Sequence, residues 1–228
     1  MSIALKGAMG VGGIGATVGG GFLAHSVMSK SEPKKTLAKQ LTDDGFTLIN
    51  LDTTRTEEST SGWKKILDSY KTITAKKPEL KIGTFSLETK DLEDINKLKN
   101  ACASVLKLEE GSSEFTKHHS IASKWCVEPI SVNSLLSKRG IILLSTEGSE
   151  NADAWTTIAK DYAANKKANS KEPMDGVDST EVSGTDYSGN ISKIQTACNT
   201  RKTKSSHEEE FEKYLEDVQQ WCVSKSKL

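Results

Sequence analysis

Very little in this chain points to chemistry. Among 228 residues there are only four cysteines, four prolines and four histidines, and 6% of positions are aromatic. No serine-nucleophile motif, phosphate loop or paired-carboxylate motif is present, which points away from catalysis. Charge of one sign is lacking too. Lys plus Arg and Asp plus Glu both number 31, so no excess basic field exists to attract nucleic acid or an anionic bilayer surface. With 35% hydrophobic and 27% charged residues, the composition is still that of a polar globular protein, because the apolar residues fall in periodic stripes.

What the chain does contain is a duplication. Trp63, Ile66, Tyr70, Ile95, Lys97, Ala101, Cys102, Phe115, Lys117, Trp125, Cys126 and Val127 recur in order as Trp155, Ile158, Tyr162, Ile191, Lys193, Ala197, Cys198, Phe211, Lys213, Trp221, Cys222 and Val223. Cys198 follows Cys102 by 96 positions, whereas Trp155 follows Trp63 by 92. The length change therefore lies between Tyr and Cys, and such variation between fixed anchors is what a surface loop tolerates. The expected organisation is a leader over residues 1–30, a first repeat unit over 31–128 and a second over 129–228.

Each unit opens on a short segment ending at a glycine, Leu41 to Gly45 and Leu136 to Gly140, followed by an apolar extended run. A short glycine-capped helix and a brief strand are predicted there. Three longer helical stripes follow. Trp63, Ile66, Leu67, Tyr70 and Ile73 are spaced as on one helix face, as are Trp155, Ile158, Ala159 and Tyr162. Ile95, Leu98, Cys102 and Val105, with Ile191, Ile194 and Cys198, give the second stripe. The third runs through Phe115 to Trp125 and Phe211 to Trp221, with Ser205 and Glu208 spaced as a capping box. The fold class expected is mainly α: two tandem three-helix units, each with a short extended segment, around a repeat core of Trp63, Tyr70, Phe115, Trp125, Trp155, Tyr162, Phe211 and Trp221.

The four cysteines fall two per unit, each pair 24 positions apart. Of the three pairings that four cysteines allow, Cys102 with Cys126 and Cys198 with Cys222 treats the copies alike and is the economical choice in an oxidising compartment. The alternative is four buried free thiols in a reducing cytosol. Cys102, His118, His119 and Cys126 are metal-ligand types, but their spacing matches no tight cysteine pair of a zinc site, and the second copy has Tyr214 and Leu215 in place of the histidines. No metal or cofactor is expected. Trp-Cys dipeptides read as core rather than as reactive thiols, and Glu208 to Glu210 as a solvated helix start.

From Gly7 to Met28 there is no Asp, Glu, Lys or Arg, and these 22 residues are about the length that crosses a hydrocarbon core as a helix. The stretch is glycine-rich and poor in Leu, Ile and Phe, so it reads as a transmembrane or signal-like segment of marginal insertion energy. Gly10, Gly12 and Gly15 share the spacing of a dinucleotide fingerprint. However, Gly19, Gly20 and Gly21 occupy the place of the helix that would receive a pyrophosphate. Lys30, Lys34, Lys35 and Lys39 after the segment favour a cytoplasmic body, while the paired cysteines favour an outward one. Large domains translocate largely regardless of charge, so an extracellular body is expected.

The glycine-rich leader, Leu-x3-Gly-Phe, Trp-x6-Tyr, lone Cys and terminal Trp-Cys pattern resembles the large paralogous protein families of haemotropic mycoplasmas over almost the whole chain. The resemblance carries no activity, ligand or site residue to this sequence. It implies surface display and antigenic diversity in a wall-less parasite of red blood cells. The function expected is accordingly that of a non-catalytic, membrane-anchored or exported interaction protein, whose partners are host surface molecules or antibodies and, through the leader, the membrane. A cytoplasmic-facing structural adaptor with reduced cysteines is the alternative, and the sequence sets no oligomeric state.

Overall fold

In a computed structural model of the chain the residues described are 34–54, 62–88, 90–168, 173–177 and 187–223. From Lys34 onward they belong to one compact unit. The leader expected over 1–30 lies outside the described residues. No helix among those described is long and apolar enough to cross a membrane.

The architecture is mainly helical. Among the described residues eight α-helices run in the order α1 (Leu37–Asp43), α2 (Gly62–Lys76), α3 (Asp91–Val105), α4 (Ser113–Trp125), α5 (Val132–Lys138), α6 (Ala152–Ala168), α7 (Ser188–Lys202) and α8 (Phe211–Trp221). In the first half α2 packs on α3, α3 on α4 and α1 on α4; in the second, α6 packs on α7, α7 on α8 and α5 on α8. Their inward faces join one continuous cluster of buried side chains running from Leu37 to Cys222.

The short helices start and stop for reasons written in their residues. Thr36 caps α1 by accepting the Lys39 N–H at 3.3 Å, and Ser131 caps α5 by accepting the Ser134 N–H at 3.2 Å, each satisfying a donor the first turn leaves unpaired. At the other end Gly45 (φ 91°) and Gly140 (φ 74°) adopt the left-handed conformation. Gly45 and Phe46 then donate back to Thr42 O and Leu41 O, as Gly140 and Ile141 do to Ser137 O and Leu136 O. This double bond pattern closes a helix around a glycine.

Beyond each glycine the chain is extended, but no strand forms among the described residues. Leu48 makes an isolated antiparallel bridge with Val127, and Leu143 makes one with Val223. The expected strands over 46–51 and 141–144 reduce to single bridges because each has only the short segment after its Trp-Cys pair to bond with. Through that bridge Ile49 N–H reaches Cys126 O at 3.2 Å, and Leu144 N–H reaches Cys222 O at 2.9 Å. Each half thus has four helices, the three expected stripes plus the short glycine-capped helix.

The predicted sulfur pairing is present. Cys102 bonds Cys126 and Cys198 bonds Cys222, with Cα atoms 5.4 and 5.9 Å apart, within the range the bond requires. Each bond joins the second long helix of its half to the C-terminal end of the third, and all four cysteines are buried. On the chain-entropy account, closing a loop of this length restricts the unfolded chain by roughly 3 kcal/mol. Replacing Cys102 and Cys126 together by alanine is therefore expected to lower the unfolding free energy by about 2–5 kcal/mol in urea titrations, and the Cys198 and Cys222 pair likewise. Gly45→Ala, which forces a Cβ into a left-handed residue, should cost about 1–2 kcal/mol in the same measurement.

Candidate functional site

The recurring aromatic residues build the interior. Trp63, Tyr70, Trp125, Trp155, Tyr162, Phe211 and Trp221 are buried, whereas Phe115 is only half-buried. Their polar atoms have matching uses in the two halves. Trp63 Nε1–H donates to Asn50 O and Trp155 Nε1–H to Ser145 O, both at 2.8 Å. Tyr70 OH donates to Ile82 O at 3.4 Å, and Tyr162 OH lies 3.3 Å from Met174 O and 3.1 Å from Val177 O. Burial raises both phenols, that of Tyr162 to about 12. Tyr70 meets Trp125 edge-on at 5.2 Å, and Tyr162 meets Trp221 at 4.6 Å, the geometry that aligns ring edge with ring face.

The apparent metal ligands part company. Cys102 and Cys126 are bonded to each other. His119 Nε2 sits 2.6 Å from Asp44 Oδ2, and His118 Nδ1 lies 2.9 Å from Glu114 O on its own helix. Among the described residues no group of three His, Cys, Asp or Glu side chains could hold a metal ion. The glycine spacing at Gly10, Gly12 and Gly15 lies outside them.

Two features escape the repeat. One is the seam where the halves meet, and it is polar. Arg139 Nε donates to Asp44 O at 2.8 Å with its guanidinium over the Phe46 ring, and Lys138 Nζ donates to Thr47 Oγ1 at 2.9 Å. The end of α5 thus seats on the loop that follows α1. The corresponding loop after α5 carries Ile142, which is 72% exposed. Gly62 allows close approach at the same seam, since a Cβ there would lie 2.8 Å from Pro129 Cδ.

Across the seam, Lys124 in the last turn of α4 is almost completely buried. Its ammonium donates to Glu208 O at 2.6 Å and pairs with Glu212 at 3.1 Å. Burial holds its pKa below the ordinary lysine value against the pull of Glu212. Lys77 adds an ion pair to Glu209 at 2.9 Å. Beside them the Nδ1 of His207 is buried without a hydrogen-bond partner among the described residues. Elsewhere Arg201 pairs with Asp217 at 2.8 Å, and burial nevertheless raises that carboxyl.

The second feature is an open cleft of about 360 Å³ in the first half, between α2 and the 81–87 loop. It is lined by Tyr70, Lys71, Thr74 and Ala75 from the helix, and by Lys81 and Phe85 among others from the loop. Of these only Tyr70 belongs to the recurring set. Lys71, Thr74 and Ala75 stand where the second copy has Ala163, Lys166 and Lys167, and the loop lies in the stretch whose length differs between the copies. Neither the seam nor the cleft was anticipated from the sequence. The one available signal was that Lys124, next to a core tryptophan, aligns with Gln220 in the second copy.

Comparison of the chain with protein-family models, with curated proteins and with solved structures finds no match.

The seam makes stability sensitive to mild acid. Burial first, and then Lys65 and Lys124, push the His207 imidazole below its usual 6.5 against the pull of Glu208. The unfolded chain therefore takes up a proton at a pH where the folded chain does not. Stability present above about pH 6.5 is lost as pH falls toward the folded value. Urea titrations at about pH 7 and about pH 5.5 should show a larger loss for the wild type than for His207→Gln.

Proposed function

We propose that this chain is a non-catalytic interaction protein, exported or membrane-anchored, built from two copies of a small helical unit and displayed outside the cell. The observation that carries this reading is that both cysteine pairs are bonded inside their own halves and buried. Structural disulfides of this kind fit an oxidising compartment, and they are rare where thioredoxin and glutathione keep thiols reduced. The glycine-rich segment over 1–30 is the proposed anchor or signal.

The distribution of recurring residues supports the same reading. Most positions identical in the two copies, such as Trp63 and Trp155 or Cys102 and Cys198, are buried, while the recurring lysines Lys97 and Lys193, and Lys117 and Lys213, reach the surface. Exposed positions between them differ freely, as Lys65 and Thr157 or Asp68 and Lys160 do. A protein that meets its partners through a changeable polar surface needs few fixed residues outside its core. The likeness to the surface-protein families of haemotropic mycoplasmas points the same way, toward host molecules or antibodies as partners.

Brief protease treatment of intact cells carrying the full chain tests the location. The expected outcome is cleavage of the body, with both disulfides found in a non-reducing peptide map of the released fragments. Full protection on intact cells, with four alkylatable thiols after lysis, would instead identify a cytoplasmic adaptor and end this reading.

A further inference from the structure

The cleft in the first half sets exposed polar groups beside rings that the core itself holds in place. Its apolar wall is a pair of rings, Tyr70 and Phe85, nearly parallel at 14° with centroids 5.9 Å apart. Tyr70 is buried and fixed through its hydroxyl to Ile82 O, while Phe85 is half-buried and turns part of its ring outward. Leu87 and Ala75 extend the apolar lining.

Two cations border this wall and they are not equivalent. Lys71 Nζ lies 3.0 Å from Asp91 and 3.2 Å from the fully buried Asp94, so its charge is already matched. Lys81 is exposed, and among the described residues it makes no ion pair. Ser86 also lines the cleft; its carbonyl accepts from Lys97 at 3.0 Å, and its hydroxyl has no hydrogen bond among the described residues. The cleft therefore combines an aromatic wall, one unmatched ammonium and one unused hydroxyl, within a volume at the lower end of what small-ligand pockets occupy.

We propose that this cleft binds a small amphiphilic anion, a carboxylate, sulfonate or phosphate carried on an aromatic or apolar body of about two rings. The body lies against Phe85 and Leu87, and the anionic group meets the Lys81 ammonium and the Ser86 hydroxyl. Removing the apolar body from water supplies much of the affinity, and the ammonium selects for charge. The inference is independent of the side of the membrane on which the chain resides. It assigns the site to the first half alone, because, Tyr70 apart, the lining comes from positions and a loop that the second copy does not share.

Titration of the full, disulfide-bonded chain with 1-anilinonaphthalene-8-sulfonate, read by fluorescence, tests the assignment. Its uncharged relative N-phenyl-1-naphthylamine serves as the second probe. Saturable binding of the sulfonate at one site per chain is expected, and Lys81→Glu should weaken it by about tenfold or more. The uncharged probe should bind more weakly than the sulfonate and be indifferent to Lys81→Glu. Lys81 is exposed, so this variant keeps the wild-type near-ultraviolet circular dichroism, and a loss of binding cannot be laid to unfolding. Absence of saturable sulfonate binding, or equal binding by the wild type and Lys81→Glu, would overturn the proposal. Phe85→Ser should weaken both probes, and retention of full affinity for both would remove the ring wall from the site and overturn it equally.

Discussion

In each half, the end of the third long helix is the place where most of the local structure is tied together. Cys126 closes α4, bonds sulfur to sulfur with Cys102 on α3, and accepts the Ile49 N–H through its own carbonyl. Its neighbour Trp125 sends the indole N–H to Leu80 O at 2.8 Å and lies edge-on to Tyr70. One dipeptide thereby positions α3, α2, the turn after α2 and the segment after α1. The second half repeats the sulfur bond, the backbone bond and the ring contact through Trp221 and Cys222. A four-helix unit of fewer than a hundred residues has a thin core, and a covalent link at the meeting point of its elements limits how far any of them can open.

The joint between the halves follows different physics. Within each half the repeated aromatic and aliphatic contacts dominate; at the seam the same continuous core is joined by ammonium and guanidinium groups that reach carbonyl, hydroxyl and carboxylate oxygens. Lys124 is the sharpest example, because it gives up its hydration to reach Glu208 O. A buried amine of this kind adds little net stability compared with an apolar replacement, but it tolerates few alternative docking arrangements, since any slip leaves the charge unpaired.

How much of this was readable beforehand depends on the range of the signal. The first and second long helices were legible because their apolar residues recur at spacings of three, four and seven, and those residues, Ile191 apart, are the ones buried. The sulfur pairs were legible because the copies had to be treated alike. Local cues were less dependable. Ser205 and Glu208 have the spacing of a capping box, yet α8 begins at Phe211; Glu208 Oε1 does accept the Ser205 N–H at 3.3 Å, but in the turn ahead of the helix. Phe115 aligns with the buried Phe211 and is nevertheless half-exposed, since periodicity gives the face of a helix and not the depth to which each turn sinks. Lys124 reads as an ordinary surface lysine because its partners come from more than eighty positions away. The cleft depends on a loop of variable length, which no repeat pattern describes.

The seating of α5 on the loop after α1 joins corresponding positions of the two copies, since Arg139 aligns with the Asp44 whose carbonyl it reaches, and a contact between like positions closes on itself rather than running head to tail. The loop after α5 shows Ile142 where the loop after α1 shows Thr47. At this contact α1 ends on Asp43 and Asp44 where α5 ends on Lys138 and Arg139. Carboxylates cannot donate to the carbonyl and hydroxyl oxygens that the basic pair reaches. The basic pair therefore reaches across in one direction only, and two copies alike in their cores meet through unlike groups.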